Sequence, residues 1–197
     1  MNFLAHAYLS FDHQPFIIGN MISDFVKGKQ KFQYSDAIQS GIELHRKIDT
    51  FTDEHPLIAE AKKVFKPKVG LYAGAFVDVA MDYFIANDPN IKTPEQWEKF
   101  SENIYKVLSN HTAILPQRFL RMLPYMVKED WLYNYRYVWG IENSMRNVVR
   151  RAAFLPDDTD VMPEFENNTA LLQDIYNKFF PRLYGFVLDN IRILTKE

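Results

Sequence analysis

The stretch LYAGAFVDVAMDYFIA, residues 71–86, is apolar on nearly every side, and only Asp78 and Asp82 interrupt it. A helix that is apolar all round has to be covered on all sides, so the rest of the chain must wrap it. The two carboxylates lie one turn apart on one face, where they repel each other. Burying an unpaired carboxylate is costly even after relaxation. Something cationic has to compensate: a metal ion, an arginine such as Arg46, or a raised pKa with shared protons.

Helix signals dominate the remainder. Ser35 is placed to cap a helix running to about Phe51, and Pro56 to open the next, with Asp53 nearby as its cap. Thr93-Pro94-Glu95-Gln96 is a capping box with proline at the first helical position. Further helices are expected over 68–86, 95–109, 117–127, 131–151 and 164–194, with Pro181 bending or breaking the last. Residues 152–163 read as an acidic surface loop. Alternating strand patterns are scarce. The expected fold is all-α, a single multi-helix bundle over residues 1–197 with short loops.

Composition narrows the chemistry. The chain contains no cysteine, so any metal would be held by imidazole and carboxylate, which suits Mn²⁺, Mg²⁺, Fe²⁺ or Zn²⁺. A net charge of −2 gives no overall pull toward nucleic acid or an anionic membrane. No apolar run approaches the roughly 20 residues that span a bilayer, and the opening MNFLAHAYLSFDH lacks a basic region ahead of its apolar run. A soluble, cytoplasmic protein is the expectation.

Residues 43–56, ELHRKIDTFTDEHP, divide by helical period. Ile38, Ile42, His45 and Asp49 follow at steps of four, three and four, which keeps one face. His45 and Asp49 therefore point toward the core, and Glu43, Arg46 and Lys47 away from it. Asp24 lies in the apolar run FIIGNMISDFVKG, and His6 in NFLAHAYL. Four separated segments thus each bring a histidine or aspartate into apolar surroundings, which suggests one shared polar centre, better explained by a metal than by four isolated pairs. Asp53 and His55 read as turn and capping residues, and His13 and His111 as exposed loop residues.

The pieces NFLAH, GNMISDFVKG, GIELHRKIDTFTDEHP and DVAMDYF, in that order and spacing, closely resemble the acyl carrier protein phosphodiesterases, a family similar to the all-helical HD-type metal phosphohydrolases. The resemblance implies a divalent-metal enzyme, with Mn²⁺ foremost and Mg²⁺ or Fe²⁺ as alternatives. It would release 4′-phosphopantetheine from the serine of holo acyl carrier protein. It also implies His6, Asp24, His45 and Asp78 as metal ligands, and Asp49 or Asp82 to orient water or accept its proton. Tyr83 or His55 would protonate the leaving serine, and Lys27 or Arg46 would neutralise phosphate. Where the family often reads Asp-His-Phe, this chain has Asp82-Tyr83-Phe84.

Holo acyl carrier protein, the implied partner, is acidic, so a basic docking surface is expected. Arg146 and Arg150 stand one turn apart in SMRNVVRRAAF. Lys62, Lys63, Lys66 and Lys68 form a second cluster, and ordinary solvated helix faces carry such charges too. The aromatic run WLYNYRYVWG, residues 131–140, is expected to pack the core; a pantetheine channel is the other use open to it. Two other functions fit the same residues: hydrolysis of another small phosphodiester or nucleotide, and carrier binding without turnover.

Overall fold

The computed structural model describes residues 1–195, and its regular elements are all helical. They are α1 (Phe3–Tyr8), α2 (Gln14–Ile22), α3 (Asp36–Glu54), α4 (Pro56–Val69), α5 (Ala73–Asn87), α6 (Pro94–Ser109), α7 (Gln117–Lys128), α8 (Trp131–Asn134), α9 (Val138–Arg151), α10 (Met162–Asn167) and α11 (Thr169–Thr195). Helix α5 takes the central place that its composition demands. It packs against α1, α4, α9 and α11, and Phe76, Val77, Val79, Met81 and Ile85 are fully enclosed. One stretch within Pro56–Asn87 is, contrary to the expectation, long and apolar enough by composition to cross a membrane, but 61% of it is buried inside the protein.

The most extensive helix contact is α2 on α3, and two glycines make it close. A Cβ on Gly19 would lie 2.5 Å from the Ile38 carbonyl oxygen, and one on Gly41 2.9 Å from the Phe16 Cα. The two backbones therefore touch where any side chain would separate them. Gly19 immediately precedes Asn20, and Gly41 stands one turn before His45, so this crossing sets where both polar side chains meet.

Three helix boundaries differ from the sequence-based expectation. The helix expected over 68–86 is two elements, because the chain turns at Gly70 with φ of 55° and resumes as α5. The helix expected over 131–151 is also broken: α8 ends at Asn134, and α9 restarts so tightly behind it that a Cβ on Gly140 would lie 1.9 Å from the Asn134 carbonyl oxygen. Pro181, by contrast, breaks nothing. Helix α11 runs through it, because the carbonyl left without an N–H donor is that of Asn177 on the exposed side, while Phe179, Phe180, Leu183 and Val187 hold the other side in the core.

Caps follow the expected positions with one exchange. Thr93 and Gln96 form the capping box of α6. The cap of α4 is His55, whose Nδ1 accepts from the Leu57 N–H at 3.2 Å, whereas Asp53 pairs with Lys62. Ser35 precedes α3 without a capping bond from its side chain. His13 is exposed; His111 is partly covered and donates from Nδ1 to the Val107 carbonyl.

Gly19→Ala is expected to lower stability by about 3 kcal/mol, the cost of forcing packed backbones apart, as read by urea unfolding. A loss below about 0.5 kcal/mol, the scatter of neutral surface changes, would show that the crossing can relax freely.

Candidate metal centre

Helices α1, α2 and α3 converge on a small polar cluster. Asp49 lies between two histidines: its Oδ1 is 3.1 Å from His6 Nε2, and its Oδ2 is 3.0 Å from His45 Nε2. His45 Nε2 also lies 3.3 Å from Oδ1 of Asp24. The two imidazoles stack, with centroids 3.8 Å apart and planes 16° from parallel. His6 and His45 are 3% and 5% exposed, while Asp24 is open to solvent. The cluster is thus a buried pair of rings with carboxylates leading outward.

The tautomer of His6 is set by its neighbours. Ser10 donates its hydroxyl hydrogen to the His6 carbonyl at 2.8 Å and therefore accepts from the Asn20 amide nitrogen at 2.9 Å. Asn20 consequently turns its carbonyl oxygen to His6 Nδ1, at 3.2 Å. The hydrogen sits on Nδ1 and the lone pair on Nε2. Burial, together with the nearby His45 charge, lowers the His6 pKa to about 4, so the ring is neutral near pH 7. Its Nε2 lone pair then faces the lone pairs of an ionised carboxylate.

The neighbouring groups are strongly coupled. Burial opposes a charge on His45, but hydrogen bonds to Asp24 and Asp49 outweigh it and raise its pKa to about 9. Burial likewise opposes ionisation of Asp49, yet the hydrogen bond from His45 and the nearby Met1 amino group hold it well below the usual carboxylate range. The His45 hydrogen bond lowers Asp24 against the effect of its own partial burial.

The donor set fits a divalent ion. One ring nitrogen from each histidine and one oxygen from Asp49 all lie within 4.8 Å of one another. Donors about 2.1 Å from one octahedral ion and at right angles to each other are about 3 Å apart, close to the 3.1 and 3.0 Å by which the two histidines approach the two Asp49 oxygens. An ion there would also remove the repulsion between His6 Nε2 and Asp49. The Asn20 bond to His6 Nδ1 is the outer-shell support that ligating histidines normally have.

The two aspartates of α5 take different partners. Asp82 is fully buried, and its oxygens accept from the backbone N–H groups of Leu4 at 2.7 Å and Ala5 at 3.2 Å. Those are unpaired donors in the first turn of α1, which Asn2 does not cap with its side chain. Burial pushes Asp82 up to about pKa 7 against those donors. Asp78 lies 3.0 Å from the Met1 α-amino group, which is also 3.6 Å from Asp49. Burial raises Asp78, with that cation opposing.

Other residues singled out in the sequence lie apart from the rings. Tyr83 packs on Phe84 and Phe165, each 5.5 Å away between centroids. His55 lies between Phe51 and Phe179, about 15 Å along α3 from His45 at 1.5 Å per residue. Arg46 is exposed and reaches the Val26 carbonyl at 3.4 Å, which brings it beside the Asp24 turn; Lys27 is exposed on the same turn. Arg146 and Arg150 line a separate cavity on α9. Asn20 and Ser10 were not singled out at all, although an asparagine inside FIIGNMI is as conspicuous as the Asp24 that follows it.

The model of the acyl carrier protein phosphodiesterases matches residues 1–183. The chain belongs to that family. Relatives bearing the name acyl carrier protein phosphodiesterase include those of Enterobacter sp. strain 638, 29% identical over 93% of this chain and 95% of its own, and Yersinia enterocolitica, 28% identical over 96% and 98%. That of Photorhabdus laumondii is 26% identical over 92% of each. No solved structure matches the chain significantly.

Two outcomes test this geometry in the protein freed of metal. Asp82→Ala strands two buried N–H groups and should cost about 3 kcal/mol, while Asp82→Asn, keeping one acceptor, should cost about half of that; equal losses in urea unfolding would refute the capping role. His45, with its folded pKa near 9 above the unfolded 6.5, stabilises fully below pH 6.5 and loses that contribution as pH rises through about 9. The urea midpoint should therefore fall over that window and flatten in His45→Gln. A wild-type slope in the variant would overturn the assignment.

Proposed function

We propose that this protein is a metal-dependent phosphodiesterase that releases 4′-phosphopantetheine from the serine of holo acyl carrier protein, leaving the apo carrier. The observation that carries the reading is Asp49, one oxygen on each of two buried imidazoles, with the free Nε2 of His6 aimed at it. Family membership supplies the reaction, and the likeness to HD-type phosphohydrolases belongs to the same proposal, as does a cytoplasmic location alongside the carrier.

His6, His45 and Asp49 would hold the ion, with Asp24 next to them through His45. The order of roles differs from the sequence expectation, because Asp49 stands between the histidines and Asp78 meets the amino terminus. Mn²⁺ suits the nitrogen and oxygen donors, as do Mg²⁺ and Fe²⁺. When bound, the ion supplies Lewis-acid polarisation and activation of water. Asn20 keeps a proton on His6 Nδ1 and so keeps Nε2 free to ligate. Asp24, exposed and beside His45, can take up a proton from the attacking water. Arg46 and Lys27 flank that turn and supply positive charge for the phosphate. Tyr83 makes no contact with the cluster, so the departure from the family's Asp-His-Phe leaves the donor set intact and weakens the reading of a carrier-binding protein without turnover. Arg146 and Arg150 would face the acidic carrier.

The test is conversion of holo to apo carrier, followed by intact mass after loading with Mn²⁺. Wild type should convert it. Asp49→Ala should lose both bound Mn²⁺ and conversion, and Asn20→Leu should weaken Mn²⁺ about 10- to 100-fold. Bound metal without conversion would favour another phosphodiester or mere carrier binding; no metal bound by wild type would sink the hydrolase reading.

A further inference from the structure

A cavity of about 580 Å³ lies between α7, α8 and α9. That size is typical of a small-molecule site. One wall is aromatic, with Trp131 and Trp139, and the other carries Asn143, Asn147, Arg146 and Arg150. Trp139 is 51% exposed and stacks on Tyr137 at 5.7 Å and 9°, so this end of the aromatic run is not core packing, as was expected for it. The side-chain amides of Asn143 and Asn147 make no hydrogen bond among the described residues, whereas Asn134 and Ser144 beside them are engaged with backbone carbonyls.

The inner wall is Asn2 and Phe3. They follow directly on Met1, whose amino group touches Asp78 and Asp49. The cavity wall is therefore next in the chain to a residue that touches the polar cluster. Of two other cavities, one is lined mainly by the acidic Asp157, Asp158, Asp160 and Glu166 with Arg146, and the other, on the outer face of α3, is smaller, at about 330 Å³, and balances Glu43 and Glu54 with Arg46 and Lys47.

We propose that this cavity holds the amide-bearing arm of the prosthetic group while its phosphodiester lies at the histidines, an inference that rests on the function proposed above. Unengaged asparagine amides offer both a donor and an acceptor, which is what a chain containing secondary amides requires. The indole faces cover its methyl and methylene groups. Arg146 and Arg150, at the rim, would then face the carrier rather than the arm, because the arm beyond its phosphate is uncharged.

Occupancy can be read without turnover. The chain has three tryptophans; two line the cavity, and Trp97 is buried elsewhere against Phe100. Titration with pantetheine, which lacks phosphate, should give a saturable change in tryptophan emission that is reduced in Trp139→Phe. Asn143→Leu combined with Asn147→Leu should weaken pantetheine about tenfold and raise KM for holo carrier by a similar factor, with kcat within about twofold. Its unfolding midpoint serves as the fold control. No response to pantetheine, a response to inorganic phosphate alone, or an unchanged KM in the double variant would overturn the cavity assignment even if hydrolysis is normal. Pantetheine binding without hydrolysis of holo carrier would overturn the proposed function and leave the cavity assignment standing.

Discussion

Two hydrogen bonds to one buried carboxylate hold the arrangement on which everything else rests. Helix α1 has six residues, too few to be stable alone. Its first-turn N–H groups end on Asp82 of α5, and this contact fixes α1 between α5 and α2. His6 is carried on that helix one residue after Ala5. Without the anchor from α5, nothing local would bring the imidazole to within 3.1 Å of Asp49 on α3. A carboxylate with no part in the cluster thereby decides whether the cluster exists.

The carboxylates divide by what they can reach. Asp82 is enclosed with each oxygen on a backbone donor; Asp49 is shared by two rings; Asp24 is open to solvent. An acid enclosed in the core with both oxygens held by the main chain is out of reach of an ion and its water, while an acid at the edge of a buried pair can meet an ion on one side and water on the other. The gradient from Asp82 through Asp49 to Asp24 runs from structure to chemistry, and it follows from packing rather than from residue type.

Much of this was legible in the sequence, for definite reasons. The stripe Ile38, Ile42, His45, Asp49 obeyed the helical period, and its inward face is where the histidine and aspartate are found. The partner of Asp82 was not legible, because a backbone N–H has no signature in the sequence; a metal or an arginine had to be invoked instead. The breaks at Gly70 and before Gly140 were hidden for a related reason: continuous apolar periodicity shows which face is buried, but not where a close backbone approach forces a turn. Pro181 misled in the opposite direction, since a buried aromatic face held α11 together across it.

The close contact of Gly19 with Gly41 bears on the chemistry as much as on the fold. It draws Asn20 and His45 toward a common point from adjacent helices, and Asn20 then settles which nitrogen of His6 carries a proton. A histidine free to choose its tautomer would place a hydrogen toward Asp49 and satisfy that carboxylate without an ion. By fixing the hydrogen on the far nitrogen, the chain leaves a neutral electron-pair donor opposite an anion at the inner end of a cluster that opens to solvent through Asp24. In the metal-free protein the protonated His45, 3.0 Å from Asp49, and the Met1 amino group, 3.6 Å from it, supply positive charge to that carboxylate, and the open lone pair of His6 is what makes the place suited to a cation. A close backbone crossing and the orientation of the His6 lone pair thus have the same origin.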